Sequence, residues 1–381
     1  MEGEDKINII HFGLSGNPGG IETYLLKVAS RINRSKFVFS FIDTTGSNAE
    51  PCFYDEFADL DCHFYTICPR KKSISQNKKD LKKLFNDNIF DVLHFHVNTL
   101  SYIEPVLIAL KHGVKVVIHS RNAGTRGSFI TNTLHFLNKK RIEALNDKVT
   151  RVAVSELAGK WLFGDNQKFT ILNNGVDTEK FHFNKNARDE VRKSLKIDGD
   201  TIALGSIAAF TPAKNQQFIL DTLFNMNKGY FKFKVFFVGD GPLKTGIEAL
   251  AKKYSLENCV EFLGKKSNIP ELMSAFDILL LPSFYEGFPN VVLEAQSCGL
   301  PCIISNCVTE EVVIDKSLVC RLPINDDSRQ EWAVEINNVA NMIHNSGAEF
   351  REMAFKTIDE RGFSTKNEIE RLENLYSSVV A

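Results

Sequence analysis

The chain has 381 residues, of which 43% are hydrophobic and 24% charged, a composition typical of globular proteins and a length that fits two domains. Its formal net charge is -1, so the chain as a whole has no charge excess that would attract nucleic acid. No apolar run reaches the roughly 18 residues of a membrane-spanning helix, and the first residues lack the segments of a signal peptide. We therefore expect a cytoplasmic protein that does not bind nucleic acid.

Alternating strand and helix patterns in the first half of the chain predict a doubly wound α/β domain. Residues 7–12 form a nearly continuous apolar run, which is typical of a strand buried on both faces of a parallel sheet. After Gly19 and Gly20, apolar residues recur at helical spacing through residue 32. Further strands are predicted at residues 37–42, 63–67, 92–95, 114–118 and 152–154, with helical stretches between them.

A polar, charged stretch at residues 177–200 indicates a boundary, after which the alternation resumes and predicts a second doubly wound domain. The strands predicted beyond the boundary are residues 202–207, 234–238, 260–263, 278–281 and 302–304. The predicted organisation is an N-terminal domain at residues 1–180, a C-terminal domain at 181–360, and a final helix at 361–381 that packs back toward the first domain. Two such domains in tandem favour ligand binding in a cleft at the carboxyl ends of their strands.

The segment at residues 280–301 has the clearest functional pattern. It predicts a strand, a loop and a helix that begins near Asn290, with Pro289 at the first turn. Glu286 lies just before this helix and Glu294 within it, and each carboxylate can accept two hydrogen bonds from adjacent hydroxyls of a sugar. The same spacing also fits an ordinary helix with one favourable N-terminal glutamate and one solvated glutamate.

This segment resembles the corresponding one in the retaining glycosyltransferases of family 4. Those enzymes have the GT-B fold, in which two Rossmann-like domains face each other across a cleft. Glu286 and Glu294 match the family's two glutamates, which are separated by seven residues. The resemblance implies that Glu286 binds hydroxyls of the donor hexose and that Glu294 binds the ribose of the nucleotide. It also implies that the loop backbone helps to hold the donor, through Gly287, Phe288, Pro289 and Asn290.

Weaker matches to the same family follow in the expected order along nearly the whole chain. One is the turn at Gly19 and Gly20, which in the family approaches the donor phosphates and the acceptor. A plain tight turn is the alternative interpretation. Gly13, Gly16 and Gly19 are three residues apart, which is not the spacing of a dinucleotide-binding turn, so nicotinamide binding is disfavoured.

Lys214 follows a predicted strand and is the first candidate catalytic residue. Its ammonium could stabilise the charge that grows on a diphosphate as the glycosidic bond breaks. The family usually has an arginine five residues before this lysine, where the chain has Ala209. Arg121 and Arg126 are candidates to supply the missing cation, although loop arginines are commonly exposed without such a role.

Three histidines in predicted strands are further candidates. The family's counterpart of His119 lies beside the donor sugar, so His119 is a candidate catalytic residue, with local bonding at a strand end as the alternative. His94 and His96 point the same way from one strand, as a metal pair would, but no third ligand has a suitable spacing. We expect no metal and no cofactor, with the nucleotide sugar binding as a substrate.

Residues 69–88 predict a basic amphipathic helix that could lie on anionic lipid. The competing interpretation is a solvated helix whose apolar stripe packs on the sheet. Residues 1–180 hold 24 Lys and Arg against 20 Asp and Glu, an excess that we attribute to this segment, whereas the remainder holds 22 against 27. The candidate membrane contacts are Lys71, Lys72, Lys78, Lys79, Lys82 and Lys83.

Together with these patterns, the resemblance to family 4 implies a metal-independent, retaining hexosyltransferase. It would move a sugar from a UDP-sugar to a glycan or lipid-linked saccharide in capsule or exopolysaccharide biosynthesis, in the cytoplasm or at the inner face of the membrane. Two alternatives stay open. One is a nucleotide-sugar epimerase of the same fold, which the paired glutamates disfavour, and the other is a non-catalytic partner of an active transferase, which only Ala209 favours.

Overall fold

A computed structural model describes residues 6–16, 19–46, 50–124, 128–226 and 231–381. Within these ranges the chain forms thirteen strands and fourteen α-helices, arranged in two compact units. The first unit combines Met1–Asn173 with Glu368–Ala381, and the second unit is Asn174–Asn367.

The first unit contains a parallel sheet of seven described strands in the order β3-β2-β1-β4-β5-β6-β7. Because β1 pairs with both β2 and β4, the direction in which strands are added reverses beside β1, which is the switch point of a doubly wound fold. The strands are β1 (Ile7–Phe12), β2 (Phe37–Asp43), β3 (His63–Thr66), β4 (Val92–Val97), β5 (Lys115–Ser120), β6 (Val149–Ala153) and β7 (Thr170–Ile171).

Two apolar clusters join the helices of the first unit to the sheet. One cluster holds the buried faces of α3, α4 and α6, and the other holds α1 together with Ile369, Leu372 and Tyr376 of the last helix. The last helix of the chain therefore contributes to the core of the first unit. The helices are α1 (Gly20–Ala29), α2 (Tyr54–Ala58), α3 (Ile74–Asp87), α4 (Glu104–Lys111), α5 (Phe129–Glu143), α6 (Glu156–Phe163) and α14 (Thr365–Val380).

The second unit contains a parallel sheet of six strands among the described residues, in the order β10-β9-β8-β11-β12-β13. The strands are β8 (Thr201–Ile207), β9 (Lys232–Val238), β10 (Val260–Gly264), β11 (Ile278–Leu281), β12 (Cys302–Ser305) and β13 (Val319–Leu322). The helices are α7 (Lys185–Ser194), α8 (Gln216–Asn225), α9 (Lys244–Lys253), α10 (Ile269–Ala275), α11 (Asn290–Ser297), α12 (Arg329–Ser346) and α13 (Ala354–Glu360). The predicted fold class, with two doubly wound parallel sheets, is confirmed.

A buried ion cluster fixes the start of β11, the strand that leads into the loop of Glu286. The Asp277 carboxylate accepts from Arg188 Nη2 at 2.6 Å and from Arg192 Nη1 at 2.9 Å, and also from the backbone N–H of Ala203. Burial opposes the charged form of Asp277, but the two guanidinium groups outweigh it and hold the carboxyl pKa below its ordinary value. The cluster therefore holds α7 against the edge where β8 and β11 begin.

None of the helices in the described part of the chain is both long and apolar enough to cross a bilayer.

Candidate active site

Two loops of the second unit bring the strongest sequence candidates into contact. They follow β8 and β11, which are neighbouring parallel strands, so both loops lie at the carboxyl edge of the sheet. The backbone N–H of Phe284 donates to the Ala213 carbonyl at 2.8 Å and ties the loops together. Lys214 Nζ then lies 2.5 Å from Glu286 Oε1. Sequence reasoning proposed a role for each of these residues but did not predict that they touch.

Both members of this pair are largely buried. The Lys214 side chain is 24% exposed and that of Glu286 12% exposed. Ser283 Oγ donates to the same Glu286 oxygen at 2.8 Å, which fixes the carboxylate between a hydroxyl and an ammonium. Removing either charge would leave the other in a poorly solvated position without a partner. The desolvation penalty of an unpaired charge therefore keeps the two side chains together.

The N-terminus of α11 begins four residues after Glu286, and no side-chain hydrogen bond caps it in the described structure. Its first N–H groups carry the partial positive charge of a helix N-terminus and suit an oxygen-rich ligand. Gly287, Phe288 and Pro289 form the approach to the helix, and Asn290 Oδ1 accepts from Asn174 Nδ2 at 2.7 Å. Glu294 is half-buried in the second turn.

The loop that contains Ala209 is packed against the loop after β9. Gly239 has a φ of +135°, and a Cβ there would lie 2.1 Å from the Ala208 carbonyl oxygen, so only glycine fits. The Phe210 N–H donates to the Asp240 carbonyl at 3.0 Å across the same contact. Ala209 itself is exposed, so a longer side chain at this position would extend into solvent.

In the first unit, a buried glutamate shapes the glycine-rich turn after β1. Ser15 donates to Glu22 Oε1 from its N–H at 3.1 Å and from its hydroxyl at 2.7 Å. Gly19 is the extended N-cap of α1, and the space around the missing Cβ of Gly20 is open. Sequence reasoning singled out the glycines but missed Glu22, whose position in the first turn of α1 gave the only signal.

Four buried histidines cross β1, β4 and β5 on one face of the first sheet. The strand register pairs His11 with His94 and His96 with His119. His94 Nε2 lies 3.1 Å from His119 Nδ1, and His11 Nδ1 lies 3.2 Å from His96 Nε2. Burial disfavours the imidazolium form and lowers the pKa of all four, of His11 to about 3 and of the others well below the ordinary value.

The hydrogen bonds of this row determine which nitrogens carry protons. Arg121 Nη1 lies 3.3 Å from His119 Nε2, and because a guanidinium can only donate, His119 Nε2 is the acceptor. The proton of neutral His119 is then on Nδ1 and is donated to His94 Nε2. The proton of His94 is consequently on Nδ1, which donates to the Tyr376 oxygen at 2.6 Å. The last helix of the chain thereby orients His119 through His94.

The row contains the third nitrogen ligand that sequence reasoning did not find, because His11 lies with His94 and His96 in a group of metal-ligating type. The His94 and His96 rings are stacked, with centroids 3.9 Å apart and planes 28° apart. Nitrogen lone pairs lie in the ring plane, so stacked rings direct them side by side and not toward one point. The arrangement fits a hydrogen-bonded core better than a metal site.

The remaining predicted cation and histidine positions are placed as follows. His119 is fully buried, and both of its ring nitrogens are hydrogen-bonded. The Arg121 guanidinium lies 3.7 Å from the centroid of the Tyr24 ring as well as against His119. Arg126 lies outside the described residues. The role of Arg121 or Arg126 as the missing phosphate cation therefore stays a prediction.

The predicted basic helix is α3, and its apolar stripe faces the protein. Leu81, Leu84 and Phe85 are buried in a core cluster of the first unit. Lys78 forms an ion pair with Glu104 at 2.5 Å, and Lys83 pairs with Asp87. The exposed members of the predicted set are Lys71, Lys72, Lys79 and Lys82, together with the paired Lys78 and Lys83. The buried stripe fits the competing interpretation, in which the helix packs on the sheet, and contact of these lysines with anionic lipid stays a prediction.

Comparison with known proteins identifies the family. The family model described as glycosyl transferases group 1 matches residues 187–354. EpsF of Bacillus subtilis, which is named as a glycosyltransferase, is 32% identical over 383 positions that cover 97% of this chain and 96% of EpsF. The chain belongs to the group 1 glycosyl transferases. The predicted family is confirmed.

Two other matches extend this picture of the group 1 glycosyltransferase. One is an Escherichia coli enzyme that is 28% identical over 63% of this chain and 65% of its own length. Its name is UDP-Gal:alpha-D-GlcNAc-diphosphoundecaprenol alpha-1,3-galactosyltransferase. The crystal structure of Anabaena HepE in complex with UDP-glucose matches with a TM-score of 0.75 at 17% identity, over 98% of this chain and 100% of HepE. At that identity the likeness shows the fold, and the predicted GT-B fold is confirmed.

Proposed function

We propose that this glycosyltransferase moves a hexosyl unit from a UDP-sugar to a hydroxyl of a glycan or lipid-linked saccharide in surface polysaccharide biosynthesis. The observation that carries the proposal is the contact of Lys214 with Glu286 beside the N-terminus of α11. Two relatives support the choice of donor and acceptor, since the E. coli enzyme is named for UDP-galactose and a lipid diphosphate, and HepE was solved with UDP-glucose.

The pair offers matched partners for the two halves of a nucleotide sugar. Without donor, the ammonium of Lys214 and the carboxylate of Glu286 compensate each other. When a donor binds, its diphosphate forms an ion pair with the ammonium, and its sugar hydroxyls donate hydrogen bonds to the carboxylate. Each buried charge keeps a partner throughout, so the desolvation penalty of opening the ion pair is offset by the ligand. By the resemblance to family 4, Glu294 would hold the ribose.

The proposed reaction needs no nucleophile from the protein. The bond from the anomeric carbon to the phosphate oxygen breaks, and negative charge grows on the departing UDP. The acceptor oxygen bonds to the same face of the anomeric carbon, and its proton passes to the departing phosphate oxygen, which retains the anomeric configuration. Lys214 and the first N–H groups of α11 stabilise the leaving group more strongly as its charge increases. Positive charge from these groups is what makes a metal-independent reaction possible.

The first unit would contribute in a more limited way. The turn at Gly19 and Gly20 leaves room for a ligand near the start of α1, in line with the predicted approach of donor or acceptor. His119 could contact the donor sugar through Nε2 only if that nitrogen released Arg121. We propose cytoplasmic action at the inner face of a membrane, where α3 could add mainly electrostatic attraction because Leu81, Leu84 and Phe85 of its apolar stripe are buried.

A turnover assay separates this proposal from the two alternatives. The purified protein is incubated with a panel of nucleotide sugars, with and without glycan acceptors, and free nucleotide is measured. Acceptor-dependent release of UDP supports the transferase, whereas conversion without an acceptor indicates an epimerase. If the protein neither binds nor turns over any of the donors, the non-catalytic partner is the interpretation that remains. Lys214→Gln should abolish release, and Lys252→Gln, which changes an exposed lysine of α9, should not.

A further inference from the structure

The outward face of α5 carries four large apolar side chains. Phe129 is 86% exposed, Ile130 69%, Phe136 61% and Leu137 59%. At about 100° per residue these four positions fall within one third of the helix circumference. Clusters of this kind are uncommon on a solvated surface, because single exposed apolar residues are usually scattered. The face therefore points to a partner that covers it.

The opposite side of α5 is firmly anchored, so the outward orientation is fixed by the fold. His135 Nδ1 accepts from the Leu100 N–H at 3.0 Å, and Asn138 Nδ2 donates to the Leu100 carbonyl at 2.7 Å. The His135 ring also stacks on Trp161 with centroids 4.6 Å apart. Ile142 completes the buried side in the core of the first unit. Rotation of α5 to hide its apolar residues would break all of these contacts.

Positive charge accompanies the apolar face. Lys140 and Arg141 in the last turn are exposed, and Lys140 lies in the middle of the same face by helical position. Residues 101–150 hold eight Lys and Arg against three Asp and Glu, whereas residues 51–100 hold seven of each. The positive excess of residues 1–180 is thus in residues 101–150, which include α5, and not in residues 51–100, which include α3, where sequence reasoning had placed it.

We propose that α5 docks the protein on an anionic lipid surface. Phe129, Ile130, Phe136 and Leu137 would enter the boundary between headgroups and acyl chains, and Lys140 and Arg141 would meet lipid phosphates. An apolar face combined with basic residues binds such surfaces by burial of apolar area and by attraction to anionic headgroups. The bilayer fits better than a protein partner because Lys140 lies within the apolar face and Arg141 beside it, whereas Glu143 is the one acidic residue of α5.

Vesicle flotation of the full-length protein tests this proposal. The probes are vesicles of phosphatidylcholine alone and of phosphatidylcholine with phosphatidylglycerol in equal parts, without nucleotide. We expect binding to the anionic vesicles. Phe136→Gln combined with Leu137→Gln should weaken it at least about tenfold, since each apolar side chain that leaves water contributes more than that factor at full burial. Lys140→Gln should weaken it about fivefold.

Two controls separate α5 from other surfaces. Ile89→Gln changes a residue that is 87% exposed outside α5, and it should leave binding unchanged. Lys79→Gln with Lys82→Gln removes two exposed charges of α3 and should weaken binding less than the α5 double variant does. Urea unfolding should show that all variants keep the stability of the parent, because every changed side chain is exposed.

Three results would overturn the proposal. The first is a parent protein that floats with neither kind of vesicle. The second is an α5 double variant that binds anionic vesicles as tightly as the parent does, whether or not the α3 variant binds them more weakly. The third is a parent protein that forms a dimer in sedimentation and does not bind vesicles, together with an α5 variant that is monomeric. That result would make the face a contact between two copies of the chain. None of these readouts involves the donor, so the proposed transferase activity stands or falls separately.

Discussion

Acidification should destabilise the first unit because its four core histidines are neutral when folded. In the unfolded chain each histidine takes up a proton near its ordinary pKa of about 6.5. In the folded state burial keeps the pKa of His11, His94, His96 and His119 well below that value. The unfolded state therefore binds more protons below about pH 6.5, and folding stability falls as the pH falls.

The size of the effect follows from this difference in proton binding. Each histidine costs about 1.4 kcal/mol for every pH unit below its unfolded pKa, as long as the folded pKa is not reached. At about pH 5.5 the four together remove about 5 kcal/mol relative to about pH 7.5, which is comparable to the whole stability of many domains. The other groups that contact the row are Arg121, Tyr24 and Tyr376, and they keep their charge state over this interval because the guanidinium stays protonated and burial raises the pKa of both phenols.

Urea unfolding at the two pH values measures the loss. The chain has two tryptophans, Trp161 in the first unit and Trp332 in the second, so fluorescence of a Trp332→Phe variant reports the first unit alone. His96→Gln should reduce the pH-dependent loss by about a quarter, because one of four titrating groups is removed. His63→Gln changes an exposed histidine and serves as the control. A change of less than about 1 kcal/mol between the two pH values would refute the neutral histidine row.

Three further changes test other parts of the structure. Asp277→Asn leaves two guanidinium groups without their carboxylate and should lower the free energy of unfolding of the second unit by about 3 to 5 kcal/mol, measured in urea; retention of full stability would contradict the buried ion cluster. Tyr376→Phe removes the acceptor of the His94 proton and should cost the first unit about 1 to 3 kcal/mol in the same measurement, and no loss would argue against the assigned proton positions. Ala209→Arg should tighten UDP binding roughly tenfold in calorimetry by adding charge-assisted hydrogen bonds, and an unchanged or weaker affinity would show that no cation is missing.

The sequence predicted the strands and the helix that frame the candidate site because their signals are local. Residues 278–281 were predicted as a strand and form β11, and the helix expected from Asn290 is α11. A short apolar run between breakers, and a proline at the first turn of a helix, can be recognised without tertiary information. β13 was missed because its four residues are only half-buried and include Arg321, so no apolar run marks it.

Contacts between distant residues could not be predicted in the same way. The meeting of Lys214 with Glu286 depends on two strands that are adjacent in space but not in sequence. His11 joins His94 only through the register of β1 with β4. The exposed face of α5 has no sequence signal because apolar residues occur on both sides of that helix, and only the fold decides which side is buried.

Calorimetric titration of UDP, and of the UDP-sugar that supports turnover, tests the site most directly. Lys214→Gln should weaken both ligands at least about tenfold, because both carry the diphosphate. Glu286→Gln should weaken only the UDP-sugar, since the carboxylate is assigned to the sugar and its loss frees the ammonium of Lys214 for phosphate. Two results would contradict the assignment of the pair to the two halves of the donor. One is that Glu286→Gln weakens the affinity for UDP and for the UDP-sugar to the same extent. The other is that Lys214→Gln leaves the affinity for both unchanged.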